Sequence, residues 1–172
     1  MKVINLFGGP GTGKSTCRAG IFYLMKSREY NVEEVTEYAK DVTWEGTQIL
    51  LSDQLYVLAN QNRRLERLRG KVDVCVSDSP LLLTINYVDP NYLPDHFNGL
   101  TYELWNTYDN FNVFLNRKNK YNPNGRNQTY EEALEIDKSI KKTLIDNDIS
   151  YVEVSADQYA PMKILKYYEE MK

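Results

Sequence analysis

The stretch Gly8-Gly9-Pro10-Gly11-Thr12-Gly13-Lys14-Ser15 decides how this chain is read. It satisfies G-x-x-x-x-G-K-S/T at every fixed position, with an apolar run before it and a helical pattern after it. The residue types have a common physical purpose. Glycines let the backbone wrap closely around a phosphate and aim its N–H groups inward. A helix starting at Lys14 adds the partial positive charge of its N-terminus. Lys14 is expected to bridge the two terminal phosphates of a nucleoside triphosphate, and the Ser15 hydroxyl to ligate Mg²⁺. Gly9, Gly11, Thr12, Gly13, Lys14, Ser15 and Thr16 are therefore the expected contacts of ATP or GTP. A glycine-rich turn that binds nothing is the competing reading, and the strand–loop–helix context argues against it.

Outward from this loop the composition sets bounds. A length of 172 residues with 42% hydrophobic content suits one globular domain with a single core. No apolar run reaches the roughly 20 residues needed to span a bilayer, so no membrane partner is expected. Lys2 to Phe7 runs straight into glycines without a cleavage site, which argues against secretion and for the cytoplasm. Cys17 and Cys75 have no metal-ligand spacing and read as small buried hydrophobes of a reducing compartment. A net charge of −3 argues against a surface that coats nucleic acid, while leaving a local basic groove open. The 14 tyrosines read mainly as half-buried packing, with a minority available for stacking.

Along the chain, strands alternate with helices. Strands are predicted at Lys2 to Phe7, Val32 to Thr36, Val72 to Ser77, Asn112 to Leu115 and Ser150 to Val154. The first helix runs from Lys14 to about Arg28, with Ala19, Phe22, Tyr23 and Met25 facing inward. Thr47 is expected to cap a long helix reaching about Arg69, whose apolar positions are Ile49, Leu50, Leu55, Leu58, Leu65 and Leu68. Further helices are expected at Thr101 to Tyr108, Tyr130 to Asn147 and Gln158 to Met171. Residues 81–100 form an irregular insertion, and 116–129 a polar loop. The pattern is that of a single α/β domain over 1–172: a three-layer P-loop NTPase fold with a five-stranded parallel sheet.

Asp78 ends the third strand, which in such folds lies beside the first, so its carboxylate is expected to face the metal near Ser15. The alternative is a turn cap in Asp78-Ser79-Pro80. The sequence Asn116-Arg117-Lys118-Asn119 does not match the Asn-Lys-x-Asp that reads guanine. The chain is short for an AAA+ motor. An NTP-dependent switch or binding module is thus the weaker class.

The order of elements, Glu37-Tyr38-Ala39 after strand two, Asp78 after strand three, and Leu115-Asn116-Arg117 with Gly125-Arg126 before a helix together resemble the nucleoside and nucleotide kinases. More closely, nearly the whole chain resembles the ribosylnicotinamide-kinase domain of bacterial NAD-salvage regulators and the phage-encoded AAA-type small kinases. That resemblance implies that Glu37 accepts the proton of an attacking hydroxyl, with Asp41 as the backup base. A surface glutamate at a strand end is the other reading of Glu37. The resemblance also makes 116–129 a lid, with Arg117 and Arg126 neutralising the transferring phosphoryl and the closed loop excluding water. A solvated basic loop is the alternative there.

The acceptor is expected between the long helix and the insertion. Gln54 and Gln61 share a helical face and offer amides to base edges or sugar hydroxyls. Trp44, Tyr87, Tyr92, Phe97 and Trp105 are candidates for a stacking surface. The implied activity is ATP- and Mg²⁺-dependent transfer of a phosphoryl group to a nucleoside, nucleotide or similar acceptor. A nucleic-acid kinase acting on a polynucleotide end or a hydroxylated base in DNA is the alternative. No sequence feature speaks to the oligomeric state.

Overall fold

The computed structural model describes residues 1–89, 91, 94–118, 120–122 and 128–171, with backbone alone for 94 and 95. Five parallel strands form one sheet: β1 (Lys2–Phe7), β2 (Val32–Val35), β3 (Val74–Ser77), β4 (Asp109–Asn116) and β5 (Val152–Ser155), in the spatial order β2-β3-β1-β4-β5. Buried on both faces, β1 reads as a near-continuous apolar run, as a central parallel strand should.

Alternation along β1 sorts the core into two layers. Ile4 and Leu6 face helices α1 (Lys14–Ser27) and α6 (Ala160–Glu170), where Ile21, Met25, Ile164 and Leu165 complete the cluster. Val3 and Phe7 face α3 (Gln54–Glu66), α4 (Pro94–Asn106) and α5 (Tyr130–Asp146), against Leu58, Leu65, Ile140 and Leu144. Asn5 points to this second face too. Its buried amide is accommodated because Nδ2 donates to Oδ1 of Asn110 (2.8 Å) and of Asn112 (3.1 Å). Helix α1 crosses α6 at Gly20, where a Cβ would come within 2.6 Å of Pro161 Cγ.

Several sequence expectations shift. On α1 the inward residues are Cys17, Ile21 and Met25, a stripe with one residue in every four; Tyr23 is 69% exposed because two residues turn a helix by about 200°. Ala19 also points to solvent, and Phe22 lies at the stripe's edge. The expected helix from Thr47 is broken. A 3₁₀ segment, Gln48–Ser52, comes first, and Asp53 then caps α3 by accepting from Tyr56 N–H at 3.0 Å. Thr47 instead donates its hydroxyl to Val42 O, and Ile49, on the 3₁₀ segment, is 83% exposed. A short helix that periodicity did not suggest, α2 (Tyr38–Trp44), follows β2. Helix α4 starts at Pro94 rather than Thr101, after a second 3₁₀ segment at Leu81–Asn86. Phe97 and Trp105 pack into the second core layer and so are not stacking surfaces. Tyr92 lies outside the described residues.

Candidate functional site

The Gly8–Ser15 loop leaves the carboxyl end of β1 and turns directly into α1. Positive φ angles at Gly8 (144°), Gly11 (77°) and Gly13 (96°) make the turn, a conformation that side chains oppose. Gly13 caps α1 with no side-chain bond, so no capping side chain covers the first-turn amides. Crowding fixes two more positions. A Cβ on Gly9 would stand 2.8 Å from Ala133 O and from Asp137 Oδ1, and one on Gly11 would stand 2.8 Å from Tyr121 Cδ2. Thr12 is buried, its hydroxyl donating to Gly9 O at 2.9 Å.

Lys14 Nζ donates to Gly8 O (2.7 Å) and Gly9 O (3.0 Å), which holds the ammonium inside the loop's curve. Burial pushes its pKa below the ordinary lysine value, while the carboxylates of Glu37, Asp78 and Asp137 oppose that shift. The glycine-rich nest and the Lys14 ammonium are the groups a polyanion would meet here, while the carboxylates near them would oppose it unless paired with a cation.

Asp78 follows β3, which pairs with β1, and is only 2% exposed. Its Oδ2 forms an ion pair with Arg18 Nε at 3.2 Å, and Arg18 Nη1 reaches Glu34 Oε2 at 2.8 Å. Asp78 Oδ1 is buried with no hydrogen-bond partner among the described residues. An orphaned carboxylate oxygen is costly unless something pairs with it, and a hard divalent cation is a suitable partner. Ser15 and Asp78 thus fit the two protein ligands expected of Mg²⁺. Among the described residues no group of three or more His, Cys, Asp or Glu is arranged to hold a metal.

A cleft of about 450 Å³ opens from the loop. Gly11, Gly13, Lys14, Ser15 and Thr16 line it from the phosphate loop, together with Glu37 from the end of β2 and Trp44, Gln54 and Tyr87 from the segments beyond. Glu37 is the N-cap residue of α2 and is held by the turn from β2. Gln61 is what positions that turn. Its Oε1 accepts from Tyr38 N–H at 2.9 Å and its Nε2 donates to Thr36 O at 3.2 Å. Gln61 was expected to contact the acceptor; both ends of its buried amide are instead occupied by backbone. Asp41 pairs with Arg64, which also reaches the Thr36 hydroxyl, and is not a lining residue. Gln54 does line the cleft, with Nε2 donating to Leu51 O at 2.7 Å. Trp44 is 68% exposed at the mouth. The Tyr87 hydroxyl is pushed up by burial and then by the Glu37 and Asp137 carboxylates.

Arg117 follows β4 and lies on the loop, donating from Nη1 to Pro10 O (2.9 Å). Its Nε and Nη2 both donate to Asp137 Oδ2, at 3.1 and 2.9 Å. Gly125 and Arg126 lie outside the described residues.

Two contributors escaped the sequence reading: Arg18 and Asp137. A signal existed for the second. Ala133, Asp137, Ile140 and Leu144 are spaced four, three and four apart, which puts an aspartate on the buried stripe of α5.

Sheet order, glycine loop and strand-end carboxylates together define a P-loop protein of the three-layer α/β class. Residues 3–160 match the AAA domain family, and the chain belongs to that family. No curated protein matches it. Among solved structures, it is similar to the NadR protein in complex with NR, at 15% identity and a TM-score of 0.76. The match covers 99% of this chain and 52% of that one, so the chain spans about half of NadR. NadR with NAD and AMP-PNP gives 0.74 at 15% identity, covering 99% and 50%. The deoxyadenosine kinase of M. mycoides, with dCMP and dCDP bound, gives 0.56 at 17% identity, covering 99% and 98%. At these identities the likeness establishes a nucleoside-kinase-like P-loop fold. No helix among the described residues is long and apolar enough to cross a membrane.

Proposed function

We propose that the protein is an ATP- and Mg²⁺-dependent phosphotransferase that moves the γ-phosphoryl to a hydroxyl of a nucleoside, nucleotide or nucleoside-like acceptor. One observation carries this reading. One cleft is lined by the phosphate loop, by the Glu37 carboxylate and by Gln54, Trp44 and Tyr87, so phosphate-binding groups, a base and acceptor-type contacts share the space in which a kinase must bring its substrates together. AMP-PNP in one NadR structure and deoxynucleotides in the deoxyadenosine kinase are ligands of the corresponding kind.

The loop amides and Lys14 hold the triphosphate, and Ser15 and Asp78 hold the metal. Mg²⁺, when bound, neutralises charge on the terminal phosphates. Glu37 accepts the proton as the acceptor oxygen bonds to γ-phosphorus; the bond from γ-phosphorus to the bridging oxygen breaks, and ADP carries away that electron pair. Gln54 addresses hydroxyls or base edges, and Trp44 and Tyr87 stack on a planar ring. The segment 116–129 acts as the cover, with Arg126 as its expected phosphoryl contact. The two free, buried cysteines suit a cytoplasmic compartment.

A DNA acceptor has one observation in its favour: Trp44, which lines the cleft, is 68% exposed, and a base turned out of a strand would find an apolar ring there. The test is incubation with γ-labelled ATP, Mg²⁺ and a panel of nucleosides, nucleotides and DNA oligomers. Label is expected in a nucleoside-like compound. Label only in oligomers, with steep salt dependence, selects the DNA reading. Binding of ATP with slow hydrolysis and no labelled acceptor ends the kinase reading in favour of a switch.

A further inference from the structure

Helix α5 touches the phosphate loop through one carboxylate. Asp137 Oδ1 accepts from the Gly9 backbone N–H at 2.5 Å, while Oδ2 takes both contacts from Arg117. Arg117 closes the figure by donating to Pro10 O. The contact is a built one. Helix α5 is anchored at its start by a reciprocal cap between Thr129 and Glu132, and Ala133 O comes so near the loop that only glycine fits at position 9. Arg117 is about nine-tenths buried and Asp137 mostly so, with side-chain exposures of 9% and 17%.

Charge makes the arrangement unusual. A carboxylate beside a triphosphate site repels the ligand, and Asp137 is close enough to act on Lys14. Arg117 cancels that charge while spending three of its N–H directions on Asp137 and Pro10. We propose that Asp137 and Arg117 form a charge-neutral strut that fixes the Gly9–Pro10 arm of the phosphate loop. Asp137 is then a positioning residue, and Arg117 acts through the loop instead of on the transferring phosphoryl. This corrects the expectation that Arg117 closes over the γ-phosphate.

The nucleotide part of the proposal rests on the ATP-binding reading above, and the loop part does not. Both are tested with Asp137→Ala, Arg117→Ala and the double variant, each first shown to be folded by circular dichroism. Hydrogen exchange of the 8–13 amides, read without nucleotide, should accelerate in Asp137→Ala. Unchanged exchange there overturns the strut whether or not the protein binds ATP. Mg·ATP affinity should fall about tenfold or more in Arg117→Ala, which leaves a lone carboxylate beside the phosphates. The double variant lacks the unpaired charge but also the strut, so its affinity should rise from that of Arg117→Ala to about that of Asp137→Ala, with the KM of the acceptor unchanged throughout. A double variant whose loss is the product of the two single losses overturns the strut, since independent contacts add. Faster exchange in Asp137→Ala together with wild-type protein that binds no Mg·ATP refutes the functional reading and leaves the loop support standing.

Discussion

The two ends of the cleft are built differently. At the phosphate end, the groups that would touch the triphosphate lie within eight consecutive residues: glycines at positive φ, a helix start, a lysine and a hydroxyl. At the acceptor end, the wall is gathered from α2, the 3₁₀ segment at Gln48–Ser52, α3 and the segment around Leu83–Tyr87. The first is a property of the local chain and the second of packing. Function divides the same way: the phosphate end is built for a polyanion common to many reactions, and the other end must choose a particular acceptor.

The comparison is broken most severely at the phosphate end. Lys14→Ala should lower kcat/KM by on the order of 10³-fold, checked by label transfer, since it removes the ammonium held inside the loop's curve. Unchanged transfer would mean the loop holds no triphosphate. At the junction, Glu37→Gln should lower kcat by about 10²- to 10³-fold and leave Mg·ATP affinity near wild type. Equal losses in rate and affinity would assign Glu37 to structure.

The acceptor end should respond in two distinct ways. Gln61→Ala strands Tyr38 N–H and leaves Thr36 C=O with Arg64 Nη1 as its remaining donor, so thermal unfolding should show a loss of about 1–3 kcal/mol, with activity reduced through a displaced Glu37. Trp44→Ala should instead raise the KM of the acceptor by about tenfold, at about 1–3 kcal/mol per stacked ring, while stability moves by less than about 0.5 kcal/mol. A stability loss at Trp44 with no change in KM would remove it from the wall. The smallest effect concerns Cys17 and Cys75, whose thiols burial pushes up to about 12. A raised thiol pKa favours the protonated, unreactive form, so thiol reagents at pH 8 should label the native protein only at the rate at which it opens.

The misread elements follow the same division. All five strands were found to within a few residues, because apolar runs between turn residues mark buried parallel strands. Helix α2 was missed because seven residues carry too little periodicity to register. The break at Asp53 was missed because Ile49, Leu50, Leu55 and Leu58 mimic one continuous apolar helix, although three of the four face solvent. Gln54 and Gln61 looked equivalent on one helical face. Only the neighbouring chain separates them: the β2–α2 turn claims one amide and the open cleft receives the other.

By itself the sequence determined the phosphate loop, the sheet that carries it and the strand-end positions of Glu37 and Asp78. These rest on backbone conformation and short-range periodicity, which neighbouring residues dictate. Tertiary structure alone decided that Arg18 meets Asp78, that Asp137 and Arg117 brace Gly9 and Pro10, and that Trp44, Gln54 and Tyr87 line one cleft with the phosphate loop. In the ion pairs and the brace, burial joins groups far apart along the chain. The energy that selects such pairings is the cost of leaving a buried charge or amide without a partner, and no local window contains it.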